Sequence, residues 1–281
     1  MLARLVLCLI VVLGISPQAY AQRDKAPKII DDPATVARLK VVARFVRESD
    51  GHVISLMLQG SAATAENLKL LQGLGGLESL SVQQNDDETK PITDDDLKLL
   101  AGQVSLKSLQ LERCLITGTG FSHLQRLKKL ERISLYHCPI DNDGLKVICG
   151  LTSLTGIGCS DTKITNDGLK HLSVLPKLAS LGMSNCGIDD GALEHLKANR
   201  ALQTIAVGST KVTGSGFRFL STELLIMNLS DCPISAEGFK ALARFRKLKN
   251  LYMRGVKADV DTWAKLLEAL PACQIDFNKP R

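Results

Sequence analysis

Between residues 106 and 201 the apolar positions come into register four times at a spacing of 24. The blocks are LKSLQLERCLITGTGFSHLQRLKK, LERISLYHCPIDNDGLKVICGLTS, LTGIGCSDTKITNDGLKHLSVLPK and LASLGMSNCGIDDGALEHLKANRA. Each opens with apolar residues at its first, fourth and sixth places, and the alternation of the last two puts them on one face of a strand. A Cys or Thr follows, then an Ile, a polar residue suited to start a helix, and an apolar stripe at spacings of three and four.

The same register extends over nine coils, starting at Val53, Leu77, Leu106, Leu130, Leu154, Leu178, Leu202, Leu224 and Leu248. The second is longer by five residues, which fall within 83–91, and the seventh is shorter by two, near Ser221. Eleven places after each start stands Thr64, Thr117, Asp141, Thr165, Asp189, Thr213, Ser235 or Asp259, joined by Thr93 once the insertion is allowed for. These side chains cap helix N-termini. Apolar residues before them (Ile92, Ile116, Ile140, Ile164, Ile188, Val212 and Ile234) and four and seven places after them (such as Leu68 with Leu71, and Phe121 with Leu124) mark a continuous core. A fixed period of this length predicts stacked coils, each resting on its neighbours. The expected fold is α/β: a right-handed leucine-rich repeat solenoid of about nine coils, with a parallel concave sheet and convex helices.

The ends differ from the array. Arg4, the apolar run 5–15, a break at Ser16-Pro17 and the small residues of Ala19-Tyr20-Ala21 predict a cleavable signal peptide over 1–21. Residues 22–52 are expected to hold a lead-in and a capping helix over 34–48, started by Asp32-Pro33 and ended by Ser49-Asp50-Gly51. The repeat domain then occupies 53–272. Residues 273–281 supply a last covering strand and a tail.

Charge and candidate chemistry change this picture little. The formal net charge of +6 becomes +5 on loss of Arg4 with the leader, and neither small basic cluster, 126–129 or 244–249, carries a series of stacking aromatics, so nucleic acid is not the expected partner. Beyond Cys8 there are seven cysteines and no C-x-x-C pair. Cys114, Cys138, Cys186 and Cys232 share a column with Ser61, Asn85, Thr162 and Thr210, which reads as an inward ladder bonding the turn backbone. A Cys114–Cys138 disulfide is the rival reading, disfavoured because parallel inward side chains give it poor geometry. His171 and His195 share a helix column without a third ligand, and the acidic stretches at 85–88 and 94–96 lack the glycine and spacing of a calcium loop. No metal site, cofactor or catalytic motif is expected.

What remains is a surface. Strand alternation puts Gly156, Gly158, Ser160, Ser180, Gly182, Ser184, Thr204, Ala206 and Gly208 on the concave side. Glu112, Arg132, Ser134 and Tyr136 border this floor on one side, and Asn228, Ser230, Tyr252 and Arg254 on the other. Arg113, His137, Asp161, Asn185 and Asp231 stand at the strand ends. A partner helix or extended segment could lie on the floor, anchored by Tyr136, Tyr252, Arg132 and Arg254. The competing reading is that sheet curvature alone selects small residues.

The repeat L-x-x-L-x-L-x-x-C/T-x-I-T/D-x-x-G-L-x-x-L, covering 53–272, resembles the cysteine-containing leucine-rich repeats and their 24-residue bacterial relatives of GALA type. The resemblance implies an exported, non-catalytic protein-binding scaffold, periplasmic or extracellular, with a protein partner and no membrane span once the leader is removed. Alternatives are a structural envelope or extracellular component, or a secreted effector or F-box-like adaptor. Residues 33–49 do not match an F-box.

Overall fold

The structure, a computed structural model, describes residues 31–85 and 90–277. The leader predicted over 1–21 and the acidic residues 86–88 lie outside them. Eleven strands form one sheet in sequence order. They are β1 (Phe45–Ser49), β2 (His52–Gln59), β3 (Ser79–Gln83), β4 (Ser108–Glu112), β5 (Arg132–Tyr136), β6 (Gly156–Gly158), β7 (Ser180–Gly182), β8 (Thr204–Ala206), β9 (Ile226–Asn228), β10 (Asn250–Tyr252) and β11 (Gln274–Asp276). All neighbours pair in parallel except β1 with β2. The chain is an α/β leucine-rich repeat solenoid.

The register follows from burial. Leu80 and Val82 of β3 pair with Leu109 and Leu111 of β4, which pair in turn with Ile133 and Leu135 of β5, and all six are buried. A slip of one residue would turn every one of them to water. At about 1.5–3 kcal/mol for each large side chain, this column alone holds the strands in step. The apolar column predicted four places after each cap (Leu68, Leu97, Phe121, Leu145, Leu169, Leu193, Phe217, Phe239 and Trp263) is likewise buried.

Three expectations need correction. The predicted helix over 34–48 stops at Val42 (helix Pro33–Val42), and residues 45–49 pair as β1 against β2. Asp50 and Gly51 both take positive φ (54° and 82°). That is the two-residue turn whose twist suits a hairpin, and Asp-Gly is its sequence signal. Within the strand, Phe45 and Val46 are aromatic and β-branched, residues that a strand accommodates well. The hairpin covers the edge that β2 would otherwise expose.

The convex side is only partly α-helical. Five convex segments have α-helix of at least five residues, among them Asn142–Ile148, Ala236–Leu242 and Val260–Ala269. Coils two, three and seven instead carry 3-10 turns at Asp94–Leu100, Thr119–Leu124 and Ser215–Phe219. Only two or three turns fit between one strand and the next, and that length suits the tighter helix.

The capping column divides. Thr64, Asp141, Asp189, Ser235 and Asp259 accept from N–H groups of their own coil, and Thr93 forms a capping box with Asp96. Thr117, Thr165 and Thr213 instead face the preceding coil, where their partners are Asp94, Asn142 and Asp190.

Both ends of the core are closed. At the N-terminal end Asp31, with its side chain fully buried, accepts from Val53 N (2.6 Å) and Gly75 N (2.9 Å), and lies 3.0 Å from His52 Nδ1. At the C-terminal end Trp263 packs edge-on to Phe239 and stacks on Phe277 at 4.2 Å.

Candidate functional site

The concave face is built from outward positions in register. One row runs Ser108–Arg132–Gly156–Ser180–Thr204–Ile226–Asn250–Gln274, and the next Gln110–Ser134–Gly158–Gly182–Ala206–Asn228–Tyr252–Asp276. Glu112 and Tyr136 are paired in a third row. Tyr136 and Tyr252 are 38% and 39% exposed, large rings left open to solvent at either side of a small-residue floor. Five strand spacings separate β5 from β10, about 24 Å along the sheet.

The glycines of the floor serve different ends. A Cβ on Gly156 would stand 3.3 Å from Arg132 Cγ, and one on Gly158 would stand 3.4 Å from the Tyr136 hydroxyl. Gly156 and Gly158 thus let the two side chains of β5 lie across β6. On Gly182 a Cβ would meet only ordinary contacts, the nearest at 3.6 Å, so this position is open floor.

The flanking charges are partly committed. Arg254 pairs with Asp276 of β11 at 2.9 Å, and Arg113 pairs with Glu112 at 2.6 Å. The Asn228 side-chain oxygen accepts from Ser230 N at 2.9 Å. Among the described residues Arg132 has only a long ion-pair contact, to Glu131 at 3.8 Å, and stays exposed.

The strand-end residues lie beside the floor rather than on it. Arg113, His137, Asp161, Asn185, Ser209 and Asp231 all have φ between 52° and 58°, with Gly60 (59°) at the same kink in the first coil. Each is the left-handed residue that swings the chain out of the sheet, a conformation Asn and Asp tolerate better than most. Their side chains stack along the edge: Asn185 donates to Asp161 at 2.6 Å, and His137 lies 4.0 Å from the same carboxylate.

Immediately after the kink comes the inward column. Thr162 donates to Cys159 O (2.8 Å) and Thr210 to Val207 O (2.6 Å). Cys186 and Cys232 reach the same two carbonyls at 3.1 Å, each from the following coil. Cys138 contacts Leu111 O and Cys114 contacts Glu112 O, both at 3.6 Å. Cys114 and Cys138 are free thiols, and the Cys114 thiol is pushed up by its contact with Cys138 and by burial. The column does not extend to the first two coils as predicted, for Ser61 and Asn85 are exposed. In the longer second coil Gln84 does the work. Its amide donates to Ala63 O and Lys90 O, and its oxygen accepts from Ile92 N at 2.8 Å, closing the base of the insertion.

Sequence reasoning passed over one group. Phe45, Arg47, Ser55, Glu78, Ser79, Lys107, Ser108 and Arg132 line a cleft of about 350 Å³ at the N-terminal corner of the concave face. The signal was present in part, since Ser55, Ser79 and Ser108 occupy one outward column; Phe45 and Arg47 join only because residues 45–49 are a strand.

Among the described residues no group of three His, Cys, Asp or Glu side chains is arranged to hold a metal, and no helix is long and apolar enough to cross a membrane.

Comparison with known proteins agrees with the architecture. The Leucine Rich repeat family matches residues 221–243. No curated protein matches the chain. Among solved structures, an internalin C2 from Listeria monocytogenes str. 4b F2365 is similar at 20% identity and a TM-score of 0.54, over 89% of this chain and 95% of that one. An internalin (InlF) from the same strain is 17% identical with a TM-score of 0.46, over 90% and 92%. At such identity the likeness to internalin C2 shows the fold.

Proposed function

We propose that this leucine-rich repeat protein is a non-catalytic interaction scaffold that seats a protein partner on its concave face. The observation that carries the reading is the pair of exposed rings, Tyr136 and Tyr252, facing the same open side of the sheet across a floor of Gly, Ser, Thr and Ala. Rings in solvent are poorly placed for the protein's own stability and well placed to be buried by a partner, and Tyr and Arg are the residues that dominate such interfaces. Arg132 beside Tyr136 and Arg254 beyond Tyr252 supply the polar rim. Glu112, Asn228 and the edge residues Arg113, His137, Asp161, Asn185 and Asp231 frame the seat. The signal-like leader at 1–21 supports export, and with it a partner in the periplasm or outside the cell.

The test is a pull-down from envelope and extracellular fractions with two baits, the natural chain and a Tyr136→Ala, Tyr252→Ala, Gly182→Arg variant. Gly182 accepts a side chain without backbone overlap, so the variant blocks the floor and leaves the fold in place. A partner captured by the first bait and lost from the second supports the seat. A partner held equally by both sinks it. No partner, with both baits folded, favours a structural envelope role.

A further inference from the structure

The corner cleft between β1 and β5 carries a second inference. Its floor is the register column Ser55–Ser79–Ser108, continued by Arg132 on β5. Arg47 stands on β1, register partner of Ser55, and Lys107 precedes β4. Phe45, half exposed, forms the outer wall. The cleft therefore joins an aromatic ring, three hydroxyls, three cations and the Glu78 carboxylate at one end of a concave sheet.

The charge balance is positive. Lys107 is bound to Glu78 at 2.8 Å, and Arg132 is loosely paired with Glu131 at 3.8 Å. Lys129 and Arg47 also act on Glu78, whose carboxyl lies below its ordinary value chiefly through the Lys107 hydrogen bond. Four cations thus face two carboxylates. Four strand spacings, about 19 Å, separate β1 from β5, the span of about six extended residues. A lone phosphate would engage one end of such a row. A nucleic acid strand needs successive stacking rings, and Phe45 is the one ring lining the cleft.

We infer that this corner binds an extended acidic polypeptide segment, its carboxylates set against Arg47, Lys107 and Arg132 and its backbone against the serine column. The inference deepens the concave-face reading and rests on it for the ligand being a protein. It adds the partner's chemistry: acidic at the end that meets β1.

The probe is a fluorescent octa-glutamate peptide, titrated by anisotropy into the full-length protein at low ionic strength. Octa-lysine and an eight-residue oligothymidylate serve as comparison probes. Binding that weakens as salt rises, and by about tenfold or more in Arg47→Glu and Lys107→Glu, is the expected result. Arg47→Lys should retain it, and so should Tyr252→Ala and Gly182→Arg, which lie outside the corner. Thermal melts establish that every variant is folded. Octa-glutamate binding that ignores the charge reversals overturns the inference, as does no binding or an equal or stronger response to either comparison probe. Loss on Gly182→Arg with retention in Arg47→Glu would put the peptide on the central floor and overturn the corner site while leaving the seat intact. The reverse pattern of losses leaves the corner standing even if the central seat fails.

Discussion

Asp190 reaches out of its own coil to take Thr213 of the next by both backbone N–H (2.8 Å) and hydroxyl (2.6 Å). Its other oxygen accepts from Gly214 N and Gly216 N. The arrangement recurs 96 residues earlier, where Asp94 receives Thr117 N, the Thr117 hydroxyl, Gly118 N and Gly120 N. Each carboxylate fills a Thr-Gly-x-Gly turn and so clamps one coil to its successor. The acidic triplet 94–96 thus has a structural use, with Asp94 in the clamp and Asp96 in the capping box.

Removing a clamp should cost stability and flatten its acid dependence. Burial by itself would raise the two carboxyls, but the four donors outweigh it and hold both below the ordinary carboxylate value. A lowered folded pKa gives stability that is complete above the unfolded value of about 3.9 and is lost as pH falls through the folded value. Asp94→Asn and Asp190→Asn should each destabilise by about 2 kcal/mol at pH 7. The difference from the natural chain should shrink below about pH 4. Urea melts across pH 2–7 read this directly. A gap that does not narrow in acid would mean the charge is not what holds the turn.

Glycines at the coil seams should be far less replaceable than those on the concave floor. A Cβ on Gly144 or Gly238 would overlap the carbonyl oxygen of Thr117 or Thr213, while one on Gly182 would make only ordinary contacts. Gly144→Ala and Gly238→Ala should each lose more than about 2 kcal/mol, because the obstruction is backbone and cannot rotate away. Gly182→Ala should stay within about 0.5 kcal/mol. Equal effects in chemical denaturation would refute the distinction.

Ser209 holds a left-handed φ of 56° at the kink where the first and ninth coils use glycine. Ser209→Gly removes a conformational cost of about 1–2 kcal/mol and gives part of it back through the freer unfolded chain. A net gain of about 0.5 kcal/mol in unfolding free energy is expected. A loss would show that the serine side chain contributes something beyond its backbone.

Thiol reactivity should sort the cysteines. Of the seven between Cys114 and Cys273, only Cys273 is not buried. Burial pushes Cys149 up to about 12 and Cys159 well above its usual value, so neither is a thiolate near neutrality. Alkylation of the folded protein at pH 8, mapped by mass spectrometry, should mark Cys273 first among these seven. The other six should react only as the solenoid unfolds. Early modification of Cys114 or Cys138 would contradict their place in the core.

The nine coils, their inward leucines and the lengths of the second and seventh were legible in the chain because each repeats a local pattern. An apolar residue every second or every third and fourth place has one way to be buried, and nine repetitions leave the register no freedom. The floor and its tyrosines followed from the same alternation. What the chain alone did not disclose depends on residues brought together from neighbouring coils, about 24 positions apart. That Thr117 and Thr213 serve the preceding coil, that Gln84 rather than Asn85 closes the insertion, and that Gly156 and Gly158 lie beneath Arg132 and Tyr136 were all decided by stacking. The strand at 45–49 belongs with them. Its apolar residues suit either a helix or a strand, and the open edge of β2, which exists only once the sheet has formed, supplies the hydrogen bonds that select the strand.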